Sequence, residues 1–150
     1  MGIAYRCDPV SALSVSVWQG VVTSDDVQRH MAELGRDDAW GAGGVLLTDL
    51  SGVSAVSRPT PTRLLNAASE LTTRLKSRIG DACWAIVTGA MFAEANRFAG
   101  YMEEAVGELW VFEDLESAAQ WLGHDARLVE RLVSSVRHEL ERGSASGVSR

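Results

Sequence analysis

The chain alternates short apolar segments with longer amphipathic ones, and this alternation predicts strands interleaved with helices. The clearest strand is the apolar run Val45, Leu46 and Leu47, which is bounded by Gly44 on one side and by Asp49 on the other. Such a run is typical of a strand that is covered on both faces. Apolar or alternating segments predict four further strands, over residues 3–8, 11–18, 82–88 and 109–112.

Five segments carry the start signals and the apolar spacing of helices. Thr23 with Asp26 three residues later forms a capping-box pattern, and Thr60 before Pro61 gives a cap and a favoured first helical residue. The other helices are predicted over residues 91–106, 114–122 and 126–140. The order β-β-α-β-α-β-α-β-α-α predicts an α/β fold, with a mostly parallel five-stranded sheet and an antiparallel first strand at its edge.

Composition and charge exclude several classes of function. The 150 residues predict one domain, and 46% hydrophobic with 23% charged residues is typical of a globular protein. The formal net charge of −6 argues against a nucleic-acid partner, which needs a basic surface that displaces counterions. No apolar run approaches the about 20 residues of a membrane-spanning helix, and the first residues lack the pattern of a signal peptide. We therefore expect a cytoplasmic protein with no integral membrane segment.

Polar side chains follow the central strand, where parallel α/β proteins place their working groups. Asp49, Ser51, Ser54 and Ser57 all lie in the segment DLSGVSAVS. Asp49 is either a reactive acid or, as we favour, a group that accepts hydrogen bonds from loop backbone. The serines are either phosphoacceptors or, as we favour, turn-forming residues.

Arg58 and Thr60 form a candidate anion site at the start of the next helix. An arginine beside the free N–H groups of a helix start suits a phosphate or a carboxylate. The alternative is an arginine that is solvated or paired with a surface acid. Both interpretations remain open for Arg58.

Motifs for catalysis and for metal binding are absent from the sequence. His30, His124 and His138 fall in different predicted elements without metal spacing, and no GxSxG motif accompanies them. Cys7 and Cys83 lie in predicted strands and cannot by themselves form a zinc site, so we expect small buried side chains. We therefore predict no metal, no cofactor and no enzymatic activity.

Five tryptophans are many for a chain of 150 residues. Those inside predicted core elements, which we expect to pack there, are Trp84, Trp110 and Trp121. Trp18 and Trp40 lie near the ends of elements, where a half-exposed indole often lines a pocket or an interface. If the protein has an apolar pocket between sheet and helices, we expect Trp18, Phe92 and Phe98 to line it.

Several segments resemble a known family. DLSGVSAVS, residues 49–57, resembles the segment after the third strand of STAS domains, the fold of bacterial anti-sigma-factor antagonists. VFEDLESAAQWL, residues 111–122, and WQGVVTSDDV, residues 18–27, resemble the SpoIIAA-like branch of that superfamily. The resemblance covers about residues 3–123. It implies a β-α superhelix, the architecture of the CRAL-TRIO lipid-binding domains, and it implies no reaction.

One position departs from the antagonist pattern. The resemblance implies an Asp-Ser pair whose serine is phosphorylated by a partner kinase. Aligned on Asp49, that pair falls on Ser54 and Ala55, and alanine has no hydroxyl that could take a phosphate. We therefore expect no phosphate on residues 49–60, unless Ser54 or Ser57 has taken over the role.

The last predicted helix extends beyond the segment with family resemblance. We divide the chain into a SpoIIAA-like STAS domain (1–123), an amphipathic helix (124–142) and a disordered tail (143–150). The apolar stripe of the helix consists of Val129, Leu132, Val133, Val136 and Leu140. Burying each of these side chains is worth about 1.5–3 kcal/mol, so the helix either folds back on its own sheet or pairs with a second chain. We expect a homodimer with this helix in the interface.

The sequence favours a non-enzymatic binding or regulatory module that acts through the loop after the third strand. Its partner would be a regulatory protein. The alternative from another class is a carrier or sensor of an apolar small molecule or lipid, by analogy with the CRAL-TRIO domains. A third alternative is an enzyme, which the missing motifs disfavour.

Overall fold

The computed structural model describes residues 2–42, 44–56, 66, 69, 81–89, 91–102 and 106–146. The strands within these ranges are β1 (Gly2–Cys7), β2 (Leu13–Val22), β3 (Val45–Val56), β4 (Cys83–Val87) and β5 (Glu108–Phe112). The helices are α1 (Ser24–Arg36), α2 (Phe92–Met102), α3 (Leu115–Leu122) and α4 (Ala126–Ser146). Residues 66 and 69 are helical, and the rest of the helix predicted from Thr60 lies outside the described residues.

The five strands form one sheet in which they lie in the order of the chain. β1 runs antiparallel to β2, and the other neighbouring strands are parallel. The turn between β1 and β2 is fixed by Asp8, whose carboxylate accepts the N–H and the O–H of Ser11 at 3.0 and 2.6 Å. The predicted α/β architecture, with a mostly parallel sheet and an antiparallel edge strand, is confirmed.

The predicted ends of two helices are also confirmed. Thr23 Oγ1 accepts the backbone N–H of Asp26 at 3.1 Å, and Asp26 Oδ2 accepts the N–H of Thr23 at 2.9 Å, which completes the capping box of α1. α3 ends at Gly123, which adopts φ 78°, a left-handed conformation that glycine reaches without a steric penalty. Both signals act within a few residues, which is why the sequence alone predicts them.

Helices cover both faces of the sheet, and each face has its own apolar core. Successive strand residues point to opposite faces, so Val15 and Val17 of β2 enter one core and Trp18 enters the other. The first core also contains side chains of α3 and α4, and the second contains side chains of α1 and α2. The protein is therefore a three-layer structure with the sheet in the middle.

The helix α4 folds back onto the sheet of its own chain. The buried members of its apolar stripe are Val129, Val133, Val136 and Leu140, and Leu132 packs beside them. They share a core with Ala4, Leu13 and Val15 of β1 and β2. The stripe is thus already covered, which removes the reason for predicting a dimer contact through it. The helix also continues through Ser146, four residues into the segment predicted as a disordered tail.

Three predictions about tryptophans are wrong. Trp18 and Trp40 are buried rather than half-exposed. Trp110, which we expected in the core, is 58% exposed. It lies in the middle of β5, and because β5 is the last strand of the sheet within the described ranges, Trp110 has a described neighbouring strand on one side only.

Gly107, directly before β5, approaches the backbone just before β4 closely. An ideal Cβ at residue 107 would lie 2.9 Å from the carbonyl oxygen of Ala82 and 3.0 Å from the carbonyl carbon of Asp81. Backbone atoms cannot turn away as the tip of a side chain can. We expect Gly107→Ala to lower the free energy of unfolding by about 2 kcal/mol, measured by urea denaturation.

Gly100 in α2 provides the matched control. A Cβ at this position would meet nothing within 4 Å. Gly100→Ala should therefore raise the free energy of unfolding by about 0.5–1 kcal/mol, because alanine restricts the unfolded chain and favours the helix. Two alanine variants of equal stability would contradict the close approach at Gly107.

Candidate functional site

Asp49 lies inside β3 and not in a loop after it. Its backbone pairs with Val17 of β2 and Val87 of β4, and β3 continues to Val56. The residue is only 3% exposed. The prediction of a loop from Asp49 onwards is therefore wrong for the described residues, because β2 continues past its predicted end and β3 pairs with it.

Both carboxylate oxygens of Asp49 have partners. Oδ1 accepts the backbone N–H of Ser51 at 2.9 Å, which is the structural role that we favoured from the sequence. Oδ2 accepts a hydrogen bond from Nη2 of Arg137 at 2.6 Å and forms an ion pair with it. A carboxylate that is buried, neutralised and hydrogen-bonded in this way is held in place and is poorly placed to act as a nucleophile or a base.

Arg137 belongs to this site, and the sequence analysis did not assign it there. The position contains a usable signal, since Arg137 follows Val133 by four residues and precedes Leu140 by three. Helical spacing therefore places it on the same face as the buried stripe of α4. A cation on that face requires an acid on the covered strands, and Asp49 is that acid.

Two irregularities of β3 follow Asp49. The pairing with β2 changes from Val17 opposite Asp49 to Gln19 opposite Gly52, so the segment between contains one more residue on β3 than on β2. It changes again from Gly20 opposite Val53 to Val21 opposite Ala55. Each change is a β-bulge, which bends a strand and redirects side chains.

The two bulges contain two of the three candidate serines. Ser51 lies in the first, and Ser54 is the additional residue of the second. Both serines are exposed, and so is Val21 on the neighbouring strand, at 50%. β4 pairs with β3 only as far as Asp49, and β1 pairs with β2 only as far as Gln19. Beyond these points β2 and β3 continue as a two-stranded extension of the sheet, and residues 19–22 and 51–56 are here called the β2–β3 ribbon.

The remaining candidates after the third strand are only partly covered by the structure. Ser57, Arg58 and Thr60 lie outside the described residues, so the anion site at Arg58 and Thr60 stays a prediction. The backbone of Ala55, at the phosphoacceptor position, pairs with Val21 on the ribbon. The expected absence of phosphate also stays a prediction.

The three aromatic residues predicted to line a pocket do not lie together. Trp18 and Phe98 are buried in the core under α1 and α2. Phe92 is 48% exposed, so its assignment to an internal pocket is wrong. It is the first residue of α2, and the buried positions of that helix are Ala95, Phe98 and Met102.

A buried polar cluster connects α1 to β2, and the sequence analysis did not find it. The indole N–H of Trp18 donates to Oγ of Ser16 at 3.0 Å, and this oxygen lies 2.9 Å from Nε2 of His30. Because an indole nitrogen only donates, the Ser16 hydroxyl accepts from Trp18, and the tautomer of His30 sets the direction of its hydrogen bond with Nε2. The ring of His30 also contacts Trp18 edge-on, with centroids 5.7 Å apart, and Tyr5 at 5.9 Å.

His30 is a neutral histidine that belongs to the fold. Burial lowers its pKa to about 3. Ser16 and His30 are residue types that serve as nucleophile and base in enzymes, but both side chains are buried between α1 and the sheet. The sequence signal was available, since His30 follows Val27 by three residues and precedes Leu34 by four, which places it on the buried face of α1.

Tyr5 continues this cluster to the end of α1. Its hydroxyl donates to Oδ2 of Asp37 at 2.7 Å. The pKa of Tyr5 is raised, mainly because the hydroxyl is desolvated by burial and secondly because it donates to Asp37. The bond of Tyr5 attaches the C-terminal end of α1 to β1, and the Ser16–His30 contact attaches the middle of α1 to β2.

Within the described ranges, no group of three or more His, Cys, Asp or Glu side chains is arranged to hold a metal ion. Among the helices that the structure describes, none combines the length and the apolar character that a membrane span requires.

The sheet order, the antiparallel edge strand and the helices on both faces define an α/β protein with a SpoIIAA-like fold. The chain is similar to the crystal structure of an uncharacterised protein of the DUF3478 family with a SpoIIAA-like fold from Shewanella loihica PV-4. The two are 23% identical, the match covers 81% of this chain and 94% of that chain, and the TM-score is 0.50. No protein-family profile and no curated protein matches the chain. The similarity confirms the predicted fold and assigns no activity.

Proposed function

We propose that this protein is a non-enzymatic binding or regulatory module that contacts a protein partner through the β2–β3 ribbon. The observation that carries the proposal is the pair of bulges at Ser51 and Ser54. Bulges interrupt a hydrogen-bonded ladder, and they are over-represented beside functional sites, where they redirect side chains. Here they contain two exposed serines, and Val21 on the neighbouring strand is exposed as well.

The anchoring of the ribbon supports this proposal. Asp49 accepts the N–H of Ser51, and Arg137 holds Asp49 from the opposite layer of the protein. The exposed serines therefore project from a strand that is fixed at its base. A surface that is rigid before binding loses little conformational entropy when the partner docks.

The surroundings of the polar groups favour binding over catalysis. Asp49 has both oxygens occupied, and the Ser16–His30 pair is buried away from any substrate. These three side chains thus have structural roles. The resemblance to STAS domains, the fold of bacterial anti-sigma-factor antagonists, points in the same direction.

Charged substitutions at the ribbon test the proposal. The wild-type chain is used to capture its partner from the source cells, and the dissociation constant is then measured for each variant. Ser51→Lys and Ser54→Lys should each weaken binding by about tenfold or more, which corresponds to about 1.4 kcal/mol. Both residues are exposed, so neither lysine should disturb the core.

Ser134 supplies the matched control for these substitutions. It is exposed on α4, a helix that packs on β1 and β2. Ser134→Lys makes the same chemical change and should leave the dissociation constant unaltered. Equal losses in all three variants, or a loss in the control alone, would count against the ribbon as the binding surface.

A carrier of an apolar small molecule or lipid is the second candidate. It is favoured by Thr88, which follows β4, is buried, and has a hydroxyl without a hydrogen-bond partner within the described residues. A buried hydroxyl of this kind is costly unless a water or a ligand atom pairs with it. Native mass spectrometry of protein from its own host distinguishes the candidates, because a carrier should retain a bound molecule and a docking module should not.

A further inference from the structure

The outer edge of β5 presents unpaired backbone groups. β5 is the last strand of the sheet, and no other strand pairs with its outer side in the described part of the chain. The N–H of Glu108 donates to Ala82 at 2.9 Å, and the C=O of Phe112 accepts from Thr88 at 2.8 Å, so these two residues turn their backbone groups towards β4. Backbone groups alternate along a strand, which directs those of Leu109 and Val111 outwards.

β5 carries neither the residues nor the bulge that often protect an edge strand, although at five residues it is short. Natural edges are blocked by lysine, by proline or by a bulge. The segment ELWVF contains neither residue, and its register with β4 is continuous from Glu108 to Phe112. Trp110, at the centre of the strand, is 58% exposed. An exposed aromatic side chain in the middle of an open edge is typical of a contact surface.

We propose that β5 pairs antiparallel with β5 of a second copy of this chain, about a twofold axis at Trp110. In this register Leu109 lies opposite Val111 of the second copy, and the outward backbone groups of the two residues exchange hydrogen bonds. Trp110 lies opposite Trp110 of the second copy. The pairing is self-complementary, as an interface between identical chains must be, and it extends the sheet across both copies.

The acidic residues of this edge are compatible with the proposed register. Glu108 lies opposite Phe112 of the second copy, and Glu113 lies opposite Gly107, so no two carboxylates face each other. Like charges directly opposite would destabilise a strand pair, and the chain has a net charge of −6. The register that is centred on Trp110 also pairs every residue of β5, whereas a shift by two residues leaves strand ends unpaired.

The first test is the oligomeric state of the full chain and of Trp110→Asp. Sedimentation equilibrium at micromolar concentrations should show a dimer for the wild type. Trp110→Asp places two carboxylates opposite each other at the axis and should weaken the dimer by about tenfold or more. Since the side chain is largely exposed, the variant should fold, which its circular dichroism and thermal unfolding will show.

Phe92→Asp and Val21→Asp are the matched controls. Both remove an exposed apolar side chain, at 48% and 50% exposure, from elements other than β5. Both variants should remain dimers. A monomeric wild type would overturn the proposal, and so would a dimer that Trp110→Asp leaves intact or that either control dissociates.

A disulfide tests the register itself. Residues opposite each other at a non-hydrogen-bonded position have Cα atoms about 4.5 Å apart, within the range of about 4.4–6.8 Å that a disulfide spans. With Cys7 and Cys83 replaced by serine, Trp110→Cys should oxidise to a covalent dimer. Phe92→Cys in the same background should not. The reverse result would reject pairing at Trp110.

Discussion

Replacing Arg137 by methionine is expected to lower the free energy of unfolding by about 3 kcal/mol. Methionine preserves the apolar stem that packs beside the stripe of α4 but removes the charge. Asp49, whose side chain is 4% exposed, would then be a buried carboxylate without a cation. This value is the low end of the range of destabilisation that follows when one partner of a buried ion pair is removed, because the Arg137 side chain is 32% exposed. Urea denaturation at neutral pH measures it.

Glu139→Gln provides the comparison on the same helix. Glu139 pairs with Arg6, and the side chains are 38% and 32% exposed, so removing this charge should cost less than about 1 kcal/mol.

A second variant separates lost charge from lost packing. Asp49→Asn in the Arg137→Met background should regain stability, since asparagine is neutral and its oxygen can still accept from Ser51. A double variant less stable than Arg137→Met would contradict the ion-pair account.

The second large effect is a loss of stability in acid that depends on His30. Its pKa is about 3 in the folded protein, against an ordinary value of 6.5 in the unfolded chain. Between these values the unfolded chain binds the proton and the folded protein does not. The contribution of His30 is therefore complete above pH 6.5 and is lost as the pH falls towards 3. From pH 7.5 to 4.5, the loss should be about 2.5 kcal/mol.

His30→Gln should remove most of this dependence on pH. Glutamine offers a carbonyl oxygen that can accept from Ser16 and does not titrate. The matched control is His138→Gln, because His138 is exposed on α4 and should leave the dependence unchanged. The free energy of unfolding of the wild type and of both variants is measured by urea denaturation at several pH values between 7.5 and 4.5. A dependence that persists in His30→Gln, or that disappears in His138→Gln, would show that another group is responsible.

Local signals in the sequence predicted most of the fold. The capping box at Thr23 and Asp26, the glycine that ends α3 and the apolar run of β3 each act over a few residues. Their physics is independent of the rest of the chain, so they can be recognised without a structure. The alternation of strands and helices then limits the topology to a mostly parallel sheet.

The site depends on contacts that a local pattern does not contain. Asp49 and Arg137 are separated by 88 residues, and their pairing exists only once α4 has packed on the sheet. The length of β3 was underestimated for a related reason. Polar residues such as Ser51 and Ser54 stay in the strand because β2 provides a partner, with bulges that absorb the mismatch.

Exposure was the least predictable property of individual residues. Trp110 and Trp84 both lie inside strands, but Trp84 belongs to the inner strand β4 and is buried, whereas Trp110 belongs to the edge. Phe92 and Phe98 both lie on α2, but only Phe98 faces the sheet. The sequence identified these as apolar side chains, and the position of each element in the layers determined which ones were covered.

The claim that the β2–β3 ribbon is the binding surface is tested most directly by nuclear magnetic resonance. The nitrogen-15-labelled full chain is titrated with the captured partner, and changes in the backbone amide signals are mapped onto the structure. We predict that the amides of residues 19–22 and 51–56 shift or broaden, while those of α3 remain unchanged. Changes confined to α3 and β5, or to the core around Trp18 and Phe98, would contradict the proposed function.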